Sequence, residues 1–340
     1  MISLELDDRY SRQVLFPGIG QNGQRKLAGS RIAIVGCGAT GSGLASLLAR
    51  AGVGTIRIID RDYVELSNLQ RQSLFDESDA AESLPKAVAA ARSIAACNSQ
   101  IVVEPHVADV TPANIALLLA DIQLILDGTD NFETRYLLND FAVKNSLPWI
   151  YTAAVGSYAV SLNIAPGRTA CLGCIFPEPP TGTFQTCETA GILNSAASLA
   201  ASIAATEALK LLSGNEERLR RTLLSFDLWR NERAEVAAER RPGCRTCEAG
   251  EFPYLAGERR PHITLCGRNS VQIHERERPL DFEEMSERLK AHGTVRHNSF
   301  VLKFWHEPYE LTLFPDGRAI VKGTSNTAVA RSLYARFIGS

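Results

Sequence analysis

The sequence predicts an α/β fold, a doubly wound and mostly parallel sheet (a Rossmann-like domain), followed by a small C-terminal α+β domain. Three features carry that prediction. The run Arg31-Ile32-Ala33-Ile34-Val35 opens onto Gly36-Cys37-Gly38-Ala39-Thr40-Gly41, and a second run, Ile56-Arg57-Ile58-Ile59, ends on Asp60. Strand, glycine turn, helix, strand and acid follow one another as a nucleotide-binding βαβ unit requires. Strand-like and helical patterns then alternate as far as residue 165, which puts parallel strands side by side with helices on both faces. Past Gly250 the pattern breaks into short strands, turn signals and two helical stretches.

Strands are expected near 31–35, 55–60, 101–107, 122–127, 148–154 and 159–165, and helices near 41–51, 84–97, 112–120, 131–146 and 189–213. The last helix is uncharged from Thr189 to Thr206, but it is rich in Ala and Ser and carries Asn194. It reads as buried in the domain or at a subunit contact, and falls short of a membrane span's apolarity. Residues 251–261, with Pro253, Gly257 and Pro261, read as a linker and divide the chain into 1–250 and 251–340. Behind it come strands at 263–266 and 271–274, a helix at 282–292, strands at 300–305, 309–314 and 318–321, and a helix from Asn326. Phe314-Pro315-Asp316-Gly317-Arg318 is a good hairpin turn.

With 340 residues, 45% hydrophobic and 22% charged, the chain can build one large domain and one small one. A net charge of −2 gives no basic nucleic-acid surface. The acidic start, Met1-Ile2-Ser3-Leu4-Glu5-Leu6-Asp7-Asp8-Arg9, lacks the apolar core of a signal peptide, so a cytoplasmic protein is expected.

Gly36, Gly38 and Gly41 let the backbone turn tightly and approach a phosphate at a helix N-terminus, while Asp60 accepts hydrogen bonds from a ribose. The residues beyond Asp60 bear on the choice between a triphosphate and a dinucleotide. Asp62, then Asn68-Leu69-Gln70-Arg71, then Pro85-Lys86 and Asp127-Gly128-Thr129-Asp130-Asn131 supply two cations, an amide and a carboxylate after a strand. The cations Arg71 and Lys86 suit charge developing during nucleotidyl transfer, and Asp130 suits Mg²⁺, a hard cation that takes one or two carboxylates with phosphate oxygens. No G-x-x-x-x-G-K-[ST] occurs, so Lys86 is not a P-loop lysine. An NAD(P)-dependent oxidoreductase would share the glycine loop and Asp60 but leave Arg71, Lys86 and Asp130 without a task. A non-catalytic nucleotide-binding scaffold would have lost one of them.

Cys171/Cys174 and Cys244/Cys247 are two CxxC knuckles on Gly- or Pro-marked turns, and their spacing suits either one shared tetrahedral Zn²⁺ or two redox dithiols. Cys187 precedes the Ala-rich helix, where a helix dipole lowers a thiol pKa and favours a nucleophile; a small buried residue at a helix entry is the plainer reading. Cys37 and Cys97 read as packing residues. The histidines at 262, 274, 292, 297 and 306 show no metal-ligand spacing.

Arg9-Tyr10-Ser11-Arg12-Gln13, the GCGATG loop, Asp60-x-Asp62, Ser67-Asn68-Leu69-Gln70-Arg71, Pro85-Lys86 and Thr129-Asp130-Asn131 together resemble the adenylation domain of ubiquitin-activating-type enzymes, and within that superfamily the ThiF and MoeB group. Cys171-Leu172-Gly173-Cys174, Thr186-Cys187-Glu188-Thr189-Ala190-Gly191 and Pro242-Gly243-Cys244-Arg245-Thr246-Cys247 continue the resemblance, which covers residues 9–248. Ser83 departs from it, standing where the segment before Pro-Lys often carries glycine. The resemblance implies ATP-dependent adenylation of the C-terminal glycine of a ubiquitin-like sulfur carrier, ThiS- or MoaD-like, priming thiocarboxylate formation in thiamine or molybdopterin biosynthesis. A cysteine desulfurase or rhodanese-type protein would donate the sulfur. It implies zinc at the four cysteines and Mg²⁺ at Asp130. Asp60 would hold the ribose, Asn68 would orient phosphate oxygens, and Arg71 and Lys86 would offset charge at the phosphates. Arg12 would reach into the partner's site in a homodimer, and Cys187 would lie in the loop over the carrier's tail. The C-terminal domain looks like an extra domain found on some ThiF-type proteins. It is not a rhodanese, since Cys266-Gly267-Arg268-Asn269-Ser270 lacks that family's cysteine loop.

Overall fold

The apolar runs become β1 (Arg31–Val35), β2 (Thr55–Ile59), β3 (Val102–His106), β4 (Leu124–Asp127) and β5 (Trp149–Val155), all parallel, in the order β3-β2-β1-β4-β5. The sheet continues antiparallel through β6 (Tyr158–Ile164), β7 (Thr222–Asp227) and β8 (Glu232–Ala237). This computed structural model describes residues 8–179, 190–258, 270–273 and 279–339, in two units dividing between Arg259 and Arg260.

Between the strands of the first unit run α1 (Ser11–Val14), α2 (Gly20–Ala28), α3 (Ala39–Arg50), α4 (Glu77–Ala81), α5 (Lys86–Cys97), α6 (Ile115–Leu118), α7 (Phe132–Lys144), α8 (Leu172–Ile175) and α9 (Asn194–Ser213). Alternate strand residues feed two cores, because successive side chains point to opposite faces of a sheet. Ala33, Val35, Ile59 and Ile125 lie in one core with Leu137 and Phe141 of α7. On the α9 side, α3, β5 and β6 pack against α9, and a Cβ at Gly43 would stand 2.8 Å from the Cβ of Ala201, so a side chain there would push α3 and α9 apart. Among the described residues α9 is the one helix long and apolar enough to cross a membrane. Its Ala196, Ala197, Ala200, Ala201 and Ala204 are fully buried, which makes it a core helix.

Three expectations shift. The helix expected at 112–120 is the single turn α6, because Leu119 at φ −109°, ψ 14° and Asp121 at φ +60° both leave helical space. The helix expected from 189 starts at Asn194, because Gly156 N–H donates to the Gly191 carbonyl and Leu193 N–H to that of Gly156, committing 191–193 to the β5–β6 turn. Strands β7 and β8, and helix α2, add to the elements the sequence predicts. Residues 251–258 are fastened to the first unit: Tyr254 N–H donates to Asp140 at 2.9 Å, and the Tyr254 ring stacks on Tyr136.

The second unit comprises β9 (Ser270–Ile273), α10 (Phe282–Leu289), β10 (Thr294–His297), β11 (Leu302–His306), β12 (Tyr309–Leu313), β13 (Ala319–Lys322) and α11 (Thr327–Phe337). Its sheet is antiparallel, in the order β10-β11-β12-β13-β9. Phe304, Leu311, Val321, Leu333 and Phe337 form its core. The 314–318 turn closes as expected, with Gly317 at φ +86° and Phe314 N–H on the Arg318 carbonyl at 2.9 Å. The strand expected at 263–266 lies outside the described residues, and β10 is a further addition.

Candidate functional site

In an open α/β sheet a ligand binds beyond the strands' carboxyl ends where the strand order reverses. Here the reversal falls between β1 and β4, whose last residues lead into Gly36 and Gly128. Those two glycines and Gly41 pack backbone on backbone. Gly36 has φ +86°, and a Cβ on it would come within 2.7 Å of the Gly128 carbonyl; a Cβ on Gly41 or on Gly128 would overlap the Gly36 carbonyl oxygen. Gly38 differs: a Cβ there would meet nothing closer than 3.9 Å, so protein packing does not require it. It is the N-cap of α3 and makes no side-chain cap. The first amides of α3 therefore suit an anion approaching over a residue without a side chain.

Asp60 ties this loop to the next segment. Its Oδ2 accepts from Cys37 N–H at 2.5 Å and its Oδ1 from Asp62 N–H at 2.7 Å. Burial pushes its carboxyl up from the ordinary range, with Lys86 opposing. An ionised carboxylate has about four lone-pair sites, so capacity remains for ribose hydroxyls. Lys86 opens α5 and is delivered to Asp62 by backbone pairing: its N–H donates to the Asp62 carbonyl at 2.8 Å, and Val64 N–H to that of Leu84. The Lys86 ammonium lies 3.3 Å from the Asp62 carboxylate. Burial alone would lower Lys86, but Asp62, Asp60 and Asp130 outweigh it and push it up, so it stays charged. Asn68 is buried in a short 3-10 turn with its Oδ1 on Glu65 N–H, and its carbonyl accepts from the amides of Arg71 and Gln72. Gln72 lies beside Gly38, which brings this segment next to the glycine loop, and Arg71 donates to the Ser67 carbonyl at 2.9 Å.

Asp130 is exposed, three residues beyond the end of β4. As an open carboxylate near Lys86 and beside the phosphate loop, it fits a hard divalent cation shared with phosphate oxygens. The residues supporting it escape sequence reasoning. Asp127, fully buried, accepts from Thr129 N–H at 2.8 Å, from the Thr129 hydroxyl at 2.7 Å and from Arg135 Nε at 2.9 Å. Arg135 is also buried, and a charged residue within a helix ordinarily reads as solvent-facing. The signal available is Gly128, a glycine directly after a strand.

Arg12 is not brought to this cluster. Its segment docks at the far end of α3: Tyr10 OH accepts from Asn98, which also donates to the Ala49 carbonyl, and Gln13 donates to the Ala51 carbonyl at 2.8 Å. A 12-residue helix spans about 18 Å at 1.5 Å per residue, farther than an arginine side chain extends. Cys187 lies outside the described residues.

The four knuckle cysteines do converge. Cys171 and Cys174 lie at the start of α8, and Cys244 and Cys247 in turns far along the chain. Their sulfurs sit 3.8 Å (Cys171–Cys174), 3.6 Å (Cys171–Cys244) and 3.4 Å (Cys174–Cys247) apart, and all lie within 4.8 Å of one another. Sulfurs at tetrahedral corners about 2.3 Å from a zinc ion would be roughly 3.8 Å apart, so the donor set and spacing fit Zn²⁺. Burial and neighbouring thiols push Cys171 up and Cys247 up to about 11. Four bare thiolates would repel here, and a cation offsets that repulsion.

Known proteins resemble this chain in sequence and in fold. A Bacillus subtilis (strain 168) sulfur carrier protein ThiS adenylyltransferase is 44% identical over 336 residues, 97% of this chain and 99% of that one. A sulfur carrier protein adenylyltransferase of Thermus thermophilus is 35% identical, over 71% of this chain and 90% of the relative. A SAMP-activating enzyme E1 of Haloferax volcanii is 36% identical, over 73% and 93%. In fold, a crystal structure of E. coli MccB with MccA-N7isoASN aligns with a TM-score of 0.63 at 23% identity, covering 71% of this chain and 75% of that one. The ThiF family profile matches residues 10–246, the span that contains the glycine triad, Asp60, Lys86, Asp130 and three of the four clustered cysteines, and the chain belongs to the ThiF family.

Proposed function

We propose that this protein uses MgATP to adenylate the C-terminal glycine carboxylate of a ubiquitin-like sulfur carrier in the cytoplasm. The convergence of the glycine triad, Asp60, Lys86 and Asp130 at the β1/β4 switch point carries the reading. A carrier carboxylate oxygen attacks the α-phosphorus, the bond to the bridging oxygen breaks, and pyrophosphate leaves. The amides opening α3 and the side chains of Lys86 and Arg71 offset charge on the phosphates, and Asp60 holds the ribose. Mg²⁺, held at Asp130, would neutralise phosphate oxygens. Zinc at Cys171, Cys174, Cys244 and Cys247 would be structural. Cys187 acts after adenylation, when a cysteine desulfurase or rhodanese-type donor supplies sulfur to the acyl-adenylate. A ThiS-like carrier is favoured over a MoaD-like one, because the ThiS adenylyltransferase is 44% identical over 97% of this chain. Carrier-dependent exchange of pyrophosphate into ATP tests the chemistry. Lys86→Ala or Asp130→Ala should lower exchange by about 10²-fold, as loss of one preorganised charge-stabilising group does; undiminished exchange would remove the assignment.

We infer further that the working form is a homodimer in which Arg12 serves the partner's site. Two observations support this: the docking of its segment at the far end of α3, and the exposure of Leu15 and Phe16 beside it, 71% and 63%. Exposed apolar side chains next to a charged one suit a subunit contact. Complementation tests the placement. Arg12→Ala and Asp130→Ala homodimers should each be nearly inactive, while their heterodimer puts both lesions in one site and leaves the other intact. About half of wild-type activity should return per heterodimer by two-fold symmetry. A dead heterodimer would return Arg12 to its own chain.

A further inference from the structure

The carboxylate assigned to magnesium sits on an exposed loop position, yet the peptide before it is held on every polar atom. Thr129 gives its N–H and its hydroxyl to Asp127 Oδ1, and its carbonyl accepts from Arg135 Nη2 at 2.6 Å. Arg135 Nε donates to Asp127 Oδ2 at 2.9 Å, and its Nη2 also reaches the Thr152 carbonyl at 3.3 Å. One residue beyond Asp130, the Asn131 side chain caps α7 through Thr134 N–H at 2.8 Å. Asp130 is thus suspended between a pinned peptide and a capped helix. The guanidinium is 5% exposed and lies 5.3 Å from the Phe132 ring centre and 5.1 Å from that of Tyr151, so it has little freedom to leave.

We propose that Arg135, braced by Asp127, is a positioning residue for adenylation: by holding the Thr129 carbonyl it fixes where the Asp130 carboxylate presents its oxygens to the metal–triphosphate. The inference rests on the magnesium role proposed for Asp130. Three acceptors, the Asp127 carboxylate and the Thr129 and Thr152 carbonyls, are met by one planar fork, which a lysine ammonium at the end of a flexible stem does not reproduce. Arg135→Lys keeps a cation beside buried Asp127 while releasing the loop, and so separates positioning from charge pairing.

The test compares Arg135→Lys, Asp130→Asn and the double variant with the wild type. It reads kcat and the KM for ATP in carrier-dependent pyrophosphate exchange, and separately the rise in Tm that Mg²⁺ adds to ATP-saturated protein without carrier. Arg135→Lys should lower kcat by about tenfold or more, since displacement of a reacting group by 1 Å costs up to about 10²-fold. The KM for ATP should hardly move, and the Mg²⁺ increment in Tm should shrink. The double variant should be no slower than Asp130→Asn, because Arg135 acts through Asp130. Wild-type kcat and Mg²⁺ increment in a folded Arg135→Lys, or losses that multiply in the double variant, would overturn the inference. If Arg135→Lys does not fold, Thr129→Val, which removes only the hydroxyl bond to Asp127, replaces it: a several-fold loss coupled to Asp130 supports positioning, and wild-type values overturn it. Wild-type exchange in Asp130→Asn would remove the magnesium reading and this inference together, whereas a dead Asp130→Asn beside an unaffected Arg135→Lys removes the inference alone.

Discussion

The nucleotide edge of the sheet and the cysteine cluster lie in the same unit and are held in opposite ways. At the nucleotide edge, shape comes from backbone meeting backbone: Gly36, Gly41 and Gly128 leave no room for a methyl group, and Asp60 closes the loop by accepting two amides. No ligand is needed for that arrangement. At the cluster, thiols from distant segments are gathered within 4.8 Å, and burial makes ionisation of Cys171 and Cys247 costly. That arrangement asks for a cation. Lesions at the first place should therefore remove nucleotide binding, and lesions at the second should remove stability.

Gly41→Ala breaks the first half of the comparison hardest. The new methyl overlaps the Gly36 carbonyl oxygen, a backbone atom that cannot rotate away, so the loop must move. Overpacking of this kind costs about 1–3 kcal/mol in stability, and the expected loss of the stabilisation conferred by MgATP should be complete. Unaltered MgATP binding would mean that the loop does not receive the phosphates. Cys244→Ser addresses the second half. Metal content should fall from one zinc per chain to near none, and the loss of a ligand that contributes folding energy should lower Tm by roughly 10 °C. In the cold, where the variant remains folded, ATP should still bind. Full metal retention, or zinc loss with an unchanged Tm, would contradict a structural zinc site.

The same contrast explains which features are legible in the sequence. Glycines forced by backbone contact, an acid after a strand, a lysine behind a proline and paired CxxC knuckles are local signals, because each constraint acts within a few residues or repeats a recognisable spacing. Arg135 and Asp127 are not legible as a buried pair, since burial of a charge depends on what the rest of the fold puts around it. Strand β8 is exposed along its whole length, so it lacks the alternation that betrays a half-buried strand. Nor does sequence order reveal that Arg12 docks at the opposite end of α3 from the glycine loop. That separation appears only once Asn98 and Ala51 are brought to the N-terminal segment.

The smallest expected change is the most discriminating. Gly36, Gly38 and Gly41 look alike as letters, yet among the three only Gly38 has open space where a Cβ would stand. Gly38→Ala should therefore leave the unliganded protein close to its present stability, because the new methyl meets no protein atom closer than 3.9 Å. What the methyl occupies is the approach to the amides at the start of α3. If triphosphate passes there, ATP affinity should drop by about tenfold, about 1.4 kcal/mol, while Tm without nucleotide holds. Equal loss of both would mean that Gly38 serves packing, as Gly41 does. Loss of neither would place the phosphates elsewhere along the sheet edge and leave this glycine without a reason in the site.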